Sequence, residues 1–210
     1  MLERFSTVLG AAGIGCFALA WVLEGWLPLH HLNKIPVASL DEIAPMPSEA
    51  FYELAGWFPE SFKEAYGEPT KEAFHEALKL GRDVYIAEGC WHCHSQFVRP
   101  VSNEDVRFGP VATAAEYQNE MQLPQLLGTR RVGPDLSREW NKRSTDWHVA
   151  HFFEPTWVVP TSVMPNYRWF YNENEEPNEK GIGIITYVMW LGSWTENWDT
   201  EFESETEETS

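Results

Sequence analysis

The chain has 210 residues, room for one globular domain plus short additional segments. Acidic residues outnumber basic ones 32 to 15, for a formal charge of −17, so no basic stripe exists to neutralise phosphates and nucleic acid is excluded as a partner. Three cysteines, two of them engaged as a close pair, leave no disulfide framework.

Met1 to Arg4 is a short charged start, followed by an apolar run from Phe5 to Leu23 without a charged group. At ~1.5 Å rise per residue the run is about 28 Å long, enough to cross the hydrocarbon core of a bilayer. A cleaved signal peptide would need a shorter apolar region and a small-residue cleavage site. Instead Glu24-Gly25-Trp26-Leu27-Pro28-Leu29 follows, with Trp26 suited to the membrane interface. Residues 1–29 are therefore expected to be an uncleaved anchor. Arg4 gives a modest bias toward a cytoplasmic N-terminus, which places the rest of the chain outside the cytoplasm. Ala12, Cys16 and Ala20 recur every four residues, a stripe where another helix could approach or a chance composition.

Residues 30–69 are expected to be a linker, because Pro36, Pro45, Pro47, Pro59 and Pro69 interrupt any long periodicity. Short helical turns are predicted near Glu49–Trp57 and Glu60–Tyr66. A stronger helix is predicted from Thr70, a suitable N-cap, to about Glu88, with Leu78, Arg82, Tyr85 and Ile86 on one face.

The next stretch is Glu88-Gly89-Cys90-Trp91-His92-Cys93-His94. Two thiols one helical turn apart can add to two vinyl groups on one porphyrin edge, and the following His94 then lies under the iron. Zinc would require a second ligand pair, and the remaining cysteine, Cys16, lies in the apolar run. A redox dithiol would require a βαβ setting that the pattern does not offer. One covalent haem c, held by Cys90 and Cys93 with His94 on the iron, is the preferred reading.

Gly133-Pro134-Asp135-Leu136 resembles the cytochrome c segment whose proline carbonyl accepts a hydrogen bond from the proximal histidine; standing alone it would be an ordinary turn. His148 and His151 sit three apart on a short predicted helix, with no carboxylate at a matching metal-binding spacing, and are expected to be core or interface histidines. Met164 lies in Ser162-Val163-Met164-Pro165, a proline-pinned loop about 70 residues after His94, and is the preferred sixth iron ligand. Met121 remains its rival. A last helix is predicted over Lys180–Trp194, and the acidic tail Thr195–Ser210 is expected to be disordered. The fold expected is all-α, a single N-terminal transmembrane helix plus a class I cytochrome c-like domain over residues 70–194. In class I cytochromes c the first and last helices cross, and Gly81 with Tyr85 is the matching small/aromatic pair.

From Leu78 to about Phe170 the chain resembles the mono-haem subunit, FixO type, of cbb-type cytochrome c oxidases. The carrying residues are Gly81-Arg82-Asp83-Val84-Tyr85, Cys93-His94-Ser95-Gln96 with Arg99-Pro100, and Arg107-Phe108-Gly109. Arg131-Val132-Gly133-Pro134-Asp135-Leu136, Asp146-Trp147-His148 with His151, and Met164-Pro165 with Tyr167 complete them. The resemblance implies electron transfer from a donor cytochrome c through the His/Met haem toward a haem–copper catalytic subunit, beside a further cytochrome c subunit. It also implies a single-pass protein of the bacterial inner membrane, its haem domain on the periplasmic side and no oxygen-reducing site of its own. The longer linker, the stretch Trp140–Ser144 and the acidic tail depart from that pattern. A nitric oxide reductase small subunit and a free tethered electron carrier are the alternatives.

Overall fold

A computed structural model describes residues 2–128 and 131–195 of the chain. The acidic tail, from Glu196 onward, lies outside the described residues. The chain divides into two compact units, Met1–Val37 and Ala38–Ser210. Among the described residues there are no strands, only isolated bridges at Ala38–Asn119 and Tyr171–Pro177.

The first unit is helical: α1 (Leu2–Ala20), a π-helical stretch (Trp21–Trp26) and α2 (Leu27–Leu32). Together they give a helix, Arg4–Leu32, long and apolar enough to cross a membrane. It runs past Glu24, farther than the apolar run alone. Pro28 sits near the start of α2 and can neither donate to the preceding turn nor fit its ring there. The wide π turn just before it, with the Leu27 N–H on the Val22 carbonyl, accommodates the break without ending the helix.

In the second unit, α3 (Leu40–Ile43), α4 (Glu49–Trp57) and α5 (Pro59–Tyr66) occupy the stretch expected to be a linker. These residues are part of the core. Phe51 and Leu54 are fully buried, and Phe51 meets Phe62, Phe74 and Tyr66 at ring separations of 4.9, 5.3 and 6.1 Å. None of the prolines that suggested a linker breaks a helix: Pro47, Pro59 and Pro69 sit at helix starts, and Pro36 and Pro45 lie in the connections. Pro59 opens α5, where its missing N–H is not needed, and Ser48 caps α4 by accepting from the Phe51 N–H.

α6 (Lys71–Ala87) starts at Thr70, whose hydroxyl accepts from the Ala73 N–H at 3.2 Å. α10 (Glu179–Trp190) starts at Asn178, whose side-chain oxygen accepts from Lys180 and Gly181. The two helices cross at Gly81 and Gly183. A Cβ on Gly81 would overlap the Gly183 carbonyl and stand 2.6 Å from the Tyr187 Cβ. Only glycine lets the backbones approach this closely. Ile182, Ile184, Ile185, Tyr187 and Trp190 of α10 are almost fully buried against Phe74, Ala77, Leu78 and Tyr85 of α6. The helix ends at Trp190 instead of Trp194, as Leu191 turns extended at ψ 120 and Gly192 takes a φ of +93.

Candidate functional site

α6 ends at Ala87, and Gly89, at φ +70, turns the chain into a single helical turn, α7 (Cys90–Cys93). That turn carries both thiols, Cys90 buried and Cys93 exposed, each free. Burial, with Glu88 nearby, pushes the Cys90 thiol up to about 12. A redox dithiol needs a depressed thiol instead. Among the described residues no group of three or more His, Cys, Asp or Glu side chains could hold a metal ion, as a zinc cage would require.

His94 follows in extended conformation, its N–H on the Cys90 carbonyl at 2.9 Å. Its Nδ1 lies 2.9 Å from the Pro134 carbonyl oxygen. A carbonyl only accepts, so Nδ1 carries the proton and Nε2 keeps its lone pair. Burial pushes the imidazole below its ordinary range, against the Pro134 bond, and this favours the neutral ring. The segment that supplies the carbonyl is fastened to the thiol turn. The Val132 and Gly133 N–H groups both donate to the Cys93 carbonyl, at 3.1 and 3.0 Å, and the Leu136 N–H donates to Ser95 at 2.9 Å. Gly133 is sterically required, since a Cβ there would overlap the His94 ring, 2.6 Å from Nδ1. Tyr85 of α6 donates its hydroxyl to the His94 carbonyl at 3.0 Å.

Met164 is half-buried and packs on the edge of the core, between exposed Val163 and Pro165. Its N–H donates to the Ser162 hydroxyl at 3.2 Å, and the loop is tied back by the Tyr167 N–H on the Phe152 carbonyl at 2.9 Å. Met121, the rival, is 3% exposed within the core. Its N–H goes to Asn119 Oδ1, and its carbonyl accepts from Arg82 Nε at 2.7 Å.

Two thiols on one turn, an imidazole with an oriented free nitrogen and a half-buried thioether are the donor set that a haem c uses. The turn of Cys90 and Cys93 with His94 and Pro134 fits that group, and Met164 offers a thioether from the edge of the core.

His148 and His151 lie on α9 (Thr145–Phe153). The His151 ring stacks on Trp147 at 4.3 Å, and His148 is 3% exposed. Burial pulls His148 down to about 3 and His151 to about 4. A carboxylate does meet His148. Glu139 Oε1 comes to 3.7 Å of Nε2, too far for a hydrogen bond, from a loop nine residues upstream that helical spacing could not reveal. The sequence reading also missed an ionic cluster around the proximal segment, in which Glu104 and Asp135 are buried, Arg131 is mostly buried and Arg99 reaches the surface. The four-residue separation of Arg131 and Asp135 about Gly133-Pro134 hinted at one pair. Nothing in the pattern marked Glu104, the first residue of the short helix α8 (Glu104–Phe108).

A family model described as cytochrome C oxidase, mono-heme subunit/FixO matches residues 68–205, well over half of the chain. No curated protein matches it significantly.

Proposed function

The chain belongs to the FixO family, the mono-haem subunits of cytochrome c oxidase, and from that premise we propose that it relays single electrons from a donor cytochrome c to the haem–copper catalytic subunit of such an oxidase. Cys90 and Cys93 would hold the haem through two thioethers, His94 Nε2 would ligate the iron from the proximal side and Met164 from the distal side. The bound haem supplies one-electron chemistry between ferric and ferrous iron, at a potential raised by a methionine ligand. The chain's own residues keep that centre in place. Pro134 fixes the tautomer and plane of His94, Gly133 leaves room for the ring, and the Cys93 carbonyl, with two donors on it, locks the proximal segment to the attachment turn. Were His94 and Met164 both to hold the iron, no coordination position would remain for oxygen. This subunit therefore transfers electrons and leaves oxygen reduction to its partner.

The observation that carries the reading is the His94–Pro134 bond beneath a Cys-x-x-Cys turn. The apolar helix Arg4–Leu32 supports a single-pass anchor; in this reading the haem domain would lie on the periplasmic face of a bacterial inner membrane, in line with the bias from Arg4, with a further cytochrome c subunit alongside. A denaturing gel stained for haem should show a band at 24.2 kDa plus haem. Cys90→Ala with Cys93→Ala should abolish it. Extraction of the haem from the wild type by acid–acetone would refute covalent attachment. The weak red-edge band of a ferric Fe–S(Met) bond should disappear in Met164→Ala and persist in Met121→Ala; the reverse would move the ligand to Met121. Co-purifying copper and haem b distinguish the oxidase from a reductase, which would bring non-haem iron, and from a free carrier, which would bring neither.

A further inference from the structure

Asp135 follows the proline whose carbonyl holds His94, and its side chain is wholly buried. Five donors converge on it. Ser95 Oγ and the Phe97 N–H reach Oδ2 at 2.6 and 2.8 Å, the Ser137 N–H reaches Oδ1 at 2.9 Å, the Ser137 hydroxyl joins it there, and Arg131 Nη2 stands 3.2 Å from Oδ2. Arg131 is only 12% exposed and extends in both directions. It donates to the Ser95 hydroxyl and the Phe97 carbonyl, and it pairs with Glu104 through Nη1. Glu104, itself buried, accepts from the Arg99 N–H at 2.8 Å and from its guanidinium at 2.6 and 2.9 Å. Arg99 ends the chain of charges at the surface, its side chain half exposed. Two anions and two cations thus alternate from beneath the haem ligand outward and sum to zero.

Holding a loop does not require ions. The backbone bonds from Val132, Gly133 and Leu136 already fix the segment, and burying a charged pair is costly compared with neutral groups of the same shape. What an ion pair adds is a field at the iron. The ferric and ferrous states differ by one charge, so an anion under the ligand favours the oxidised state and a cation favours the reduced state.

We propose that Asp135 and Arg131 are positioning residues of opposite electrostatic effect, which set the reduction potential of the haem through the His94–Pro134 segment. The inference rests on the reading that His94 ligates the haem iron. Asp135→Asn keeps the shape and most of the hydrogen bonds but removes the anion, so the potential rises. Arg131→Gln removes the cation and leaves two carboxylates less compensated, so the potential falls. Arg131→Lys keeps the charge without the planar fork and restores most of the wild-type value.

The test is a spectroelectrochemical titration of the purified, haem-loaded chain and its variants, with the red-edge Fe–S(Met) band recorded for each. At a fixed ambient potential near the wild-type midpoint, the reduced-to-oxidised ratio should change roughly several-fold, upward in Asp135→Asn and downward in Arg131→Gln, with the band retained in both. Loosening of the pocket would instead shift both variants in the same direction and weaken the band. That result, or an unmoved potential in both, overturns the proposal. If Asp135→Asn does not mature, Glu104→Gln replaces it: it removes the outer anion of the same chain, and a rise is expected while a fall refutes. A wild-type chain without covalent haem would overturn the site reading itself, an outcome visible on the gel before any titration.

Discussion

At His94 three neighbours act on one residue: the Pro134 carbonyl chooses the ring's tautomer, Gly133 leaves it volume and Tyr85 holds the backbone. Glu139 is governed differently, by burial. It is 8% exposed, and desolvation pushes its carboxyl up to about 7 against the pull of Lys142 and Arg143, with Asp135 adding to the rise. His148, which faces it, is held neutral by its own burial. The folded chain therefore binds a proton at Glu139 that the unfolded chain releases between pH 4.5 and about 7. The stability that this proton confers is complete below pH 4.5 and is lost as pH rises through about 7. Glu139→Gln should have about the wild-type stability near pH 4.5 and exceed it by roughly 3 kcal/mol at pH 8. Urea unfolding of both chains at the two pH values measures this. The His148 contribution has the opposite sign, since a depressed histidine loses stability as pH falls below 6.5, but both chains share it and it cancels in the difference. An equal gap at both pH values would mean that folding does not raise the Glu139 carboxyl.

The crossing of α6 and α10 shows the same dependence on a missing atom between elements. A methyl on Gly81 meets backbone, which cannot rotate away, so Gly81→Ala must separate the helices around Tyr85 and Tyr187. We expect a loss of about 2 kcal/mol or more. The control is Gly56 in α4, where an added Cβ meets nothing within 4 Å. Gly56→Ala should gain roughly 0.5–1 kcal/mol from helix propensity alone. Equal effects of the two substitutions in thermal unfolding would show that the crossing tolerates separation. The sequence displayed this pair of helices because each carries its own cap and apolar stripe. It also displayed the turn that carries Cys90 and Cys93, since the two thiols and His94 are adjacent in the chain. Of the three helices between Leu40 and Tyr66 the sequence displayed the last two as short turns and hid only α3; what it obscured is their place in the core, because prolines punctuate the stretch and Phe51 of α4 is buried by a residue distant in the chain, Phe74 of α6. Glu104 and Glu139 were invisible for a related reason: burial, which makes them important, comes from segments distant in the chain.

The whole molecule carries 17 excess negative charges, and their effect is felt before any contact forms. A basic donor cytochrome is drawn toward such a chain through the encounter rate, and salt shortens the reach of that attraction from ~30 Å at 0.01 M to ~8 Å at 0.15 M. Reduction by a basic donor should therefore slow steeply with ionic strength. Seven of the acids lie beyond Thr195, with no basic residue among them, in Glu196, Asp199, Glu201, Glu203, Glu205, Glu207 and Glu208. Removing them leaves an excess of 10 in the rest of the chain, so steering survives their loss. Charged low-hydrophobicity segments of this composition chiefly solvate a protein. We expect truncation after Thr195 to leave the spectrum, the potential and the slope of log rate against ionic strength close to those of the full chain. Stopped-flow reduction of both chains by one basic cytochrome, at low and physiological salt, compares the slopes directly. A lower rate at low salt with a flatter slope in the truncated chain would instead make the tail part of the donor's capture surface.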